Sequence, residues 1–183
     1  MNKEKIVLGI DPGTNIMGYG LIKITGSKIH LISMGVLKLS KLNDHPSKLR
    51  RIFERTLSLI DEYHPDELAI EAPFLGKNIQ SMIKLGRAQG VAMAAGLYRD
   101  IPIFEYSPRK IKQSITGNGN SSKEQVASMV QTLLNFKEDP KYLDATDGLA
   151  IALCHHFQGG SSTTDKSHSS WKSFISSNPN RVK

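Results

Sequence analysis

Four carboxylates in this chain of 183 residues stand where they could do chemistry. Asp11 closes the β-rich run from Lys5 to Ile10, and Glu71 closes a second such run that begins at Glu67. Asp144 and Asp147 are three residues apart in a stretch of helical character, a spacing that puts both on one helix face. Singly, each has an ordinary explanation: Asp11 begins an Asp-Pro-Gly turn, Glu71 precedes a break at Pro73, and Asp144 suits a helix N-terminus. Together they describe acids gathered at one edge of a sheet, where like charges repel unless a cation joins them. Hard oxygen donors suit Mg²⁺, with Mn²⁺ a workable substitute. Two such ions about 3.5–4 Å apart would activate water and stabilise the leaving oxygen in phosphodiester hydrolysis, with no Ser, Cys or His nucleophile. The expected product carries a 5′ phosphate.

Those acids need a scaffold. The run Lys5 to Ile10, bounded by Asp11-Pro12-Gly13, reads as a buried first strand. Gly18 to Ile24, the turn Thr25 to Lys28, and Ile29 to Leu39 predict two more strands in an antiparallel meander. Leu49, Ile52, Phe53, Leu57 and Ile60 recur at helical spacing and predict an amphipathic helix from Pro46 to Tyr63. Glu67 to Glu71 and Ile103 to Tyr106 read as a fourth and a fifth strand. Between them, Asn78 to Arg99 predicts a long helix with Gly86, Gly90 and Ala94 at four-residue spacing. An interior Gly costs about 1 kcal/mol relative to Ala. Close approach of another helix, within the fold or across a dimer interface, would account for two of them. Ser107-Pro108 opens a helix near Arg109 to Ile115, and Ser121 with Glu124 reads as a capping box for a helix running to about Phe136. The last helix, from about Tyr142 to Phe157, carries Asp144 and Asp147.

Composition narrows the class. The surplus of Lys and Arg gives a net charge of +7 and favours an anionic partner, with nucleic acid ahead of a membrane surface. No apolar run approaches the roughly 20 residues needed to cross a bilayer, and the opening residues lack a signal peptide's apolar stretch, so a cytoplasmic protein is expected. The single cysteine, Cys154, excludes a disulfide or thiolate zinc site within the chain. Residues 1–157 read as one nuclease domain and residues 158–183 as a Ser-rich, flexible tail. Lys166, Lys172, Arg181 and Lys183 against Asp165 place three of the seven surplus charges in that tail, leaving the folded part mildly basic.

The motifs Gly9-Ile-Asp11-Pro-Gly-Thr-Asn-Ile-Met-Gly18-Tyr-Gly, Ala69-Ile-Glu71, Lys77-Asn78, Lys84-Leu-Gly86-Arg-Ala-Gln-Gly90 and Asp144-Ala-Thr-Asp147-Gly-Leu-Ala-Ile-Ala152 together resemble the RuvC family of Holliday-junction resolvases. The resemblance runs in order from about Lys5 to Phe157. It implies an α/β, ribonuclease H-like fold: a five-stranded mixed sheet, antiparallel meander plus parallel strands, flanked by helices. It also implies that Asp11, Glu71, Asp144 and Asp147 are the metal-binding catalytic acids. Phe74 matches an aromatic that stacks on a base near the crossover, with Lys77 and Asn78 beside it. Lys112 and Lys123 match lysines of the scissile phosphate region. The activity implied is the paired, symmetric nicking of four-way DNA junctions in recombination and repair. A homodimer would carry it out, in cooperation with a branch-migration helicase complex of the RuvA and RuvB type. Two departures stand out: Gly148 where Ala is commoner, and Ala72-Pro73 where a polar residue often follows the Glu.

Plainer roles compete for the other residues. Phe74 without the family is a core plug, and Lys112 and Lys123 are solvated helix lysines. His155 and His156 read as helix-end residues that complement the dipole. Thr14 and Asn15 serve the turn after Asp11, close enough to a metal site to touch substrate. Three other functions share parts of the pattern. Asp-x-Gly followed by Gly-Tyr-Gly also resembles the first phosphate loop of actin and sugar-kinase folds, but the chain is too short for their second lobe. A non-catalytic junction-binding module would keep acids that repel its own ligand. An RNA-processing nuclease could use the same metal site.

Overall fold

The computed structural model describes residues 4–73, 78–136 and 143–159. Five strands form one mixed sheet: β1 (Glu4–Asp11), β2 (Ile16–Thr25), β3 (Lys28–Lys38), β4 (Glu67–Glu71) and β5 (Ile103–Tyr106), in the order β3-β2-β1-β4-β5. The pairs β1–β2 and β2–β3 are antiparallel, as the meander predicts, while β1–β4 and β4–β5 are parallel. A parallel neighbour needs a long crossover. Here α1 (His45–Tyr63) and α2 (Ile79–Leu97) provide the crossovers into β4 and β5. The chain then adds α3 (Pro108–Thr116), α4 (Lys123–Leu134) and α5 (Leu143–Phe157).

Alternation along β1 sorts the core into two layers. Val7 faces one way into a cluster with Ile111, Ile115, Val126, Val130 and Leu149, so α3, α4 and α5 cover that face. Leu8 and Ile10 face the other way, joining Ile52, Leu59, Ala88 and Ala92 of α1 and α2. Helices on both faces explain why β1, β4 and much of β2 are apolar without interruption.

Local chemistry sets the helix ends. Asp44 caps α1, its carboxylate accepting from the Ser47 amide at 2.7 Å, and His64 closes the helix in the left-handed region. Ser107 caps α3 ahead of Pro108. The capping box of α4 lies one residue beyond the sequence expectation: Ser122 is the cap and Gln125 its partner, not Ser121 and Glu124. Ser121 is buried, and its hydroxyl lies 2.7 Å from that of Thr116, so the neighbouring exposed serine takes the cap.

Candidate active site

Strand ends and one helix create the site. In the parallel pair β1–β4, Ile10 stands opposite Ile70, which brings Asp11 and Glu71 side by side at the carboxyl ends of their strands. Both belong to the set that includes Gly9 and Ala69, on the face that α5 covers. Helix α5 comes unusually close. A Cβ placed on Gly9 would stand 2.1 Å from the carbonyl oxygen of Gly148, and one on Gly18 would stand 2.2 Å from that of Asp144. One on Gly148 would meet the backbone of Tyr19 at 2.4 Å. The glycines of β1 and β2 thus let helix backbone lie on strand backbone, and that contact brings the first turns of α5 to Asp11. With Gly148 in place of the Ala commoner in the family, there is no room for a methyl between α5 and β2.

A cavity of about 230 Å³ opens at this point, lined by Asp11, Glu71 and Asp147 with Lys112 and Lys123. Pro108, Ile111, Val126 and Ala150 form its apolar wall. Burial pushes the Asp11 carboxyl up to about 6, helped by the charges of Asp147 and Asp144 and opposed by Lys123. Glu71 is pushed up to about 8 by burial and then by Asp11 and Asp147, against the pull of Lys112 and Lys123. Asp147 is also raised, chiefly by burial, although Lys123 draws it down. The Lys123 ammonium lies 2.5 Å from Asp144 and 2.7 Å from Asp147. Burial works against its charge, but those two hydrogen bonds outweigh it and hold the group above its ordinary range. Among the described residues no three His, Cys, Asp or Glu side chains converge as ion ligands. Lys123 instead stands between the two α5 acids.

Asp11, Glu71, Asp147, Lys112 and Lys123 therefore come together as the sequence expects, with Asp144 joined to them through Lys123. Asn78 plays a structural part, since its side chain caps α2 by accepting from the Ser81 amide at 3.1 Å. Phe74 and Lys77 lie outside the described residues, as does the tail from residue 160 onward. The apolar wall escapes sequence reading because helical periodicity marks its residues as inward-facing without showing which pair of helices they separate.

His155 departs from the expectation of an ordinary helix end. It is fully buried, with Nδ1 at 2.7 Å from the Tyr106 hydroxyl and Nε2 against the Glu67 carboxylate, which also meets Lys5. Burial holds its pKa below the usual histidine range despite Glu67, so it serves the packing of α5 on β4 and β5 rather than the helix dipole.

Comparison with known proteins agrees with this geometry. The family model described as "Crossover junction endodeoxyribonuclease RuvC" matches residues 7–155. A protein of that name from Bacteroides fragilis is 63% identical over 183 residues, covering 99% of this chain and 97% of the relative. One from Christiangramia forsetii is 61% identical, covering 100% of this chain and 95% of the relative. A solved structure of Thermus thermophilus RuvC in complex with a Holliday junction substrate is 33% identical, with a TM-score of 0.78 over 85% of this chain and 94% of that one. A yeast mitochondrial Holliday junction resolvase shares the fold at 16% identity and a TM-score of 0.62, covering 84% of this chain and 78% of that one. This chain belongs to the RuvC family of crossover junction endodeoxyribonucleases, with the ribonuclease H-like sheet of that family.

Proposed function

We propose that the protein resolves four-way DNA junctions by paired symmetric nicks, as a metal-dependent endonuclease of homologous recombination and repair. The observation that carries this reading is a single cavity in which half-buried carboxylates from β1, β4 and α5 face two lysines. The solved Thermus relative, bound to a Holliday junction, supports the choice of substrate.

Asp11, Glu71, Asp144 and Asp147 would hold the metal. Their oxygens are the hard donors that Mg²⁺ selects, and a divalent cation would offset both the burial that chiefly raises Asp11 and Glu71 and the repulsion from neighbouring acids that adds to it. When bound, two such ions supply the activation of water and the stabilisation of the leaving oxygen. The residues do the rest. Lys112 and Lys123 present positive charge where the scissile phosphate must lie, and the Pro108–Ile111–Val126 wall excludes bulk water from one side. Phe74 stacks on a base at the crossover, and Lys77 and Asn78 contact the strand next to it. Residues 1–157 form the nuclease domain, and residues 158–183 form its tail.

Two symmetric nicks call for two sites. The outer face of α2 offers a place for a second copy, with Ile79 (69% exposed), Ile83 (50%) and Leu97 (64%) uncovered. Gly86 and Gly90 lie along the same helix, and among the described residues nothing beyond that helix's own backbone comes within 4 Å of a Cβ placed on either. The homodimer would present both cavities to one junction, work in the cytoplasm, and receive junctions from a helicase complex of the RuvA and RuvB type.

The test uses a labelled mobile four-way junction, a linear duplex of the same sequence and a structured RNA, each with Mg²⁺ and with EDTA. Paired symmetric nicks in the junction alone, abolished by EDTA, are expected. In Asp11→Asn, junction binding should persist while cleavage falls about a hundredfold or more. Retained cleavage in that variant would remove the acids from the mechanism, and junction binding without cleavage in the wild type would leave a non-catalytic binding module.

A further inference from the structure

A second polar recess opens on the α1–α2 side of the sheet. It is a cavity of about 310 Å³ lined by Thr14, Asn15, His45, Lys48, Ser81 and Lys84 among others. Its contributors come from the turn after Asp11 and from the first turns of α1 and α2, segments distant in sequence that the fold brings together. Thr14 is three residues past Asp11, so chain geometry keeps the two within about 11 Å.

The recess carries a surplus of positive charge, with two lysines and one carboxylate in its lining. Burial holds the His45 pKa down, and the charges of Arg87, Lys84 and Lys48 add to the effect. Among the described residues, neither Lys84 nor Arg87 makes an ion pair, and the Lys48 ammonium reaches only the amide oxygen of Asn15, at 3.4 Å. The one lining acid, Asp44, is already committed to capping α1. His45 Nε2 is shielded from solvent yet has no hydrogen-bond partner, a costly state for a polar atom unless a ligand completes it. Two lysines, hydroxyls on Thr14 and Ser81, an amide on Asn15 and an unpartnered imidazole nitrogen make a donor-rich pocket. Such a pocket suits a tetrahedral oxyanion.

We propose that this recess holds a backbone phosphate of the DNA strand being cut, a few nucleotides from the phosphate at Asp11, with Lys84 and Lys48 as its cations. The inference rests on the nuclease reading above and adds a second anchoring point on the opposite side of the sheet edge. A strand held at both points passes the acids in one register, so Lys48 and Lys84 act as positioning residues for the cleaved bond.

The experiment measures junction binding in EDTA across a salt series for the wild type, Lys84→Gln, a Lys48→Gln/Lys84→Gln double variant, and Lys28→Gln as a control. Lys28 is the first residue of β3, at the far end of the sheet from Asp11. The plot of log K against log salt should become shallower by about 0.9 for each phosphate that is no longer neutralised, and only in the recess variants. A junction carrying one uncharged methylphosphonate at successive positions beside the cut provides the second readout. At one position the substitution should weaken wild-type binding severalfold and leave Lys84→Gln unaffected. If the wild type nicks junctions but Lys84→Gln matches Lys28→Gln in slope and in methylphosphonate response, the recess assignment falls and the nuclease reading stands. If the wild type neither binds nor nicks a junction, both fall together.

Discussion

Two sets of glycines in this molecule have opposite surroundings. Those of β1 and β2, with Gly148 of α5, are filled to the limit from within the chain, and a single methyl on Gly9 would collide with backbone at 2.1 Å. A Cβ on Gly86 or Gly90 of α2 would meet nothing within 4 Å among the described residues beyond the helix's own backbone. A glycine pressed by its own chain serves the fold. A glycine in the middle of a helix that leaves open space weakens the helix by about 1 kcal/mol and has no visible return inside one protomer. The contrast separates two faces: the inner one brings Asp144 and Asp147 to Asp11, and the outer one is the face proposed above for a second copy.

The sharpest way to break that contrast is Gly9→Ala. Backbone on the far side cannot yield as a flexible side chain would, so the cost should reach about 3 kcal/mol or more, read as a lower urea midpoint. Cleavage should fall with it, because α5 must move away from β1. Unchanged stability and activity would show that the helix sits farther from the strand than described. Gly90→Leu makes the opposite case. The described residues leave open space around a Cβ there and the helix gains propensity, so the fold should survive, while dimer dissociation measured by sedimentation should rise at least about tenfold. A dimer indifferent to this change would move the interface off α2.

The acids themselves give a smaller, pH-dependent effect. Glu71 binds its proton more tightly folded than unfolded, so its contribution to stability is present at low pH and is lost as pH rises through about 8. His155 has the opposite sign: its depressed pKa costs stability only as pH falls below the ordinary histidine range, so it is silent above about pH 7. Between about pH 7 and pH 9 the metal-free protein should therefore lose thermal stability. Glu71→Gln should flatten that slope, and Mg²⁺ should restore more at pH 9 than at pH 7. A wild-type slope that survives in Glu71→Gln would assign the titration to another group.

Much of this was legible in the residues. Asp11 and Glu71 could be placed because apolar runs mark buried strands and the acids end them, and the three-residue spacing of Asp144 and Asp147 fixed their common helix face. The antiparallel β1–β2–β3 arrangement followed from turns near Asp11 and Thr25. Other features depend on contacts between segments far apart in sequence. Nothing near Gly148 announces the backbone of Tyr19, and nothing near His155 announces Glu67 and Tyr106, so a buried, hydrogen-bonded histidine reads as a helix-end residue. The shift of the α4 cap from Ser121 to Ser122 has the same origin, since only the fold shows that Thr116 has claimed the first serine. The His45 recess draws its cations from two helices whose neighbourhood no periodicity reveals.

The central place of β1 in the sheet has a further consequence. Asp11 ends a strand hydrogen-bonded on both edges and roofed by α5, so the amides of Leu8 to Ile10 should exchange with solvent only when the whole domain opens. On the timescale of an encounter with DNA, this part of the site behaves as a fixed anvil. The bending, unstacking and strand separation needed to seat a phosphate there must be supplied by the nucleic acid. A branched junction, already open at its centre, reaches that shape at lower cost than an intact duplex.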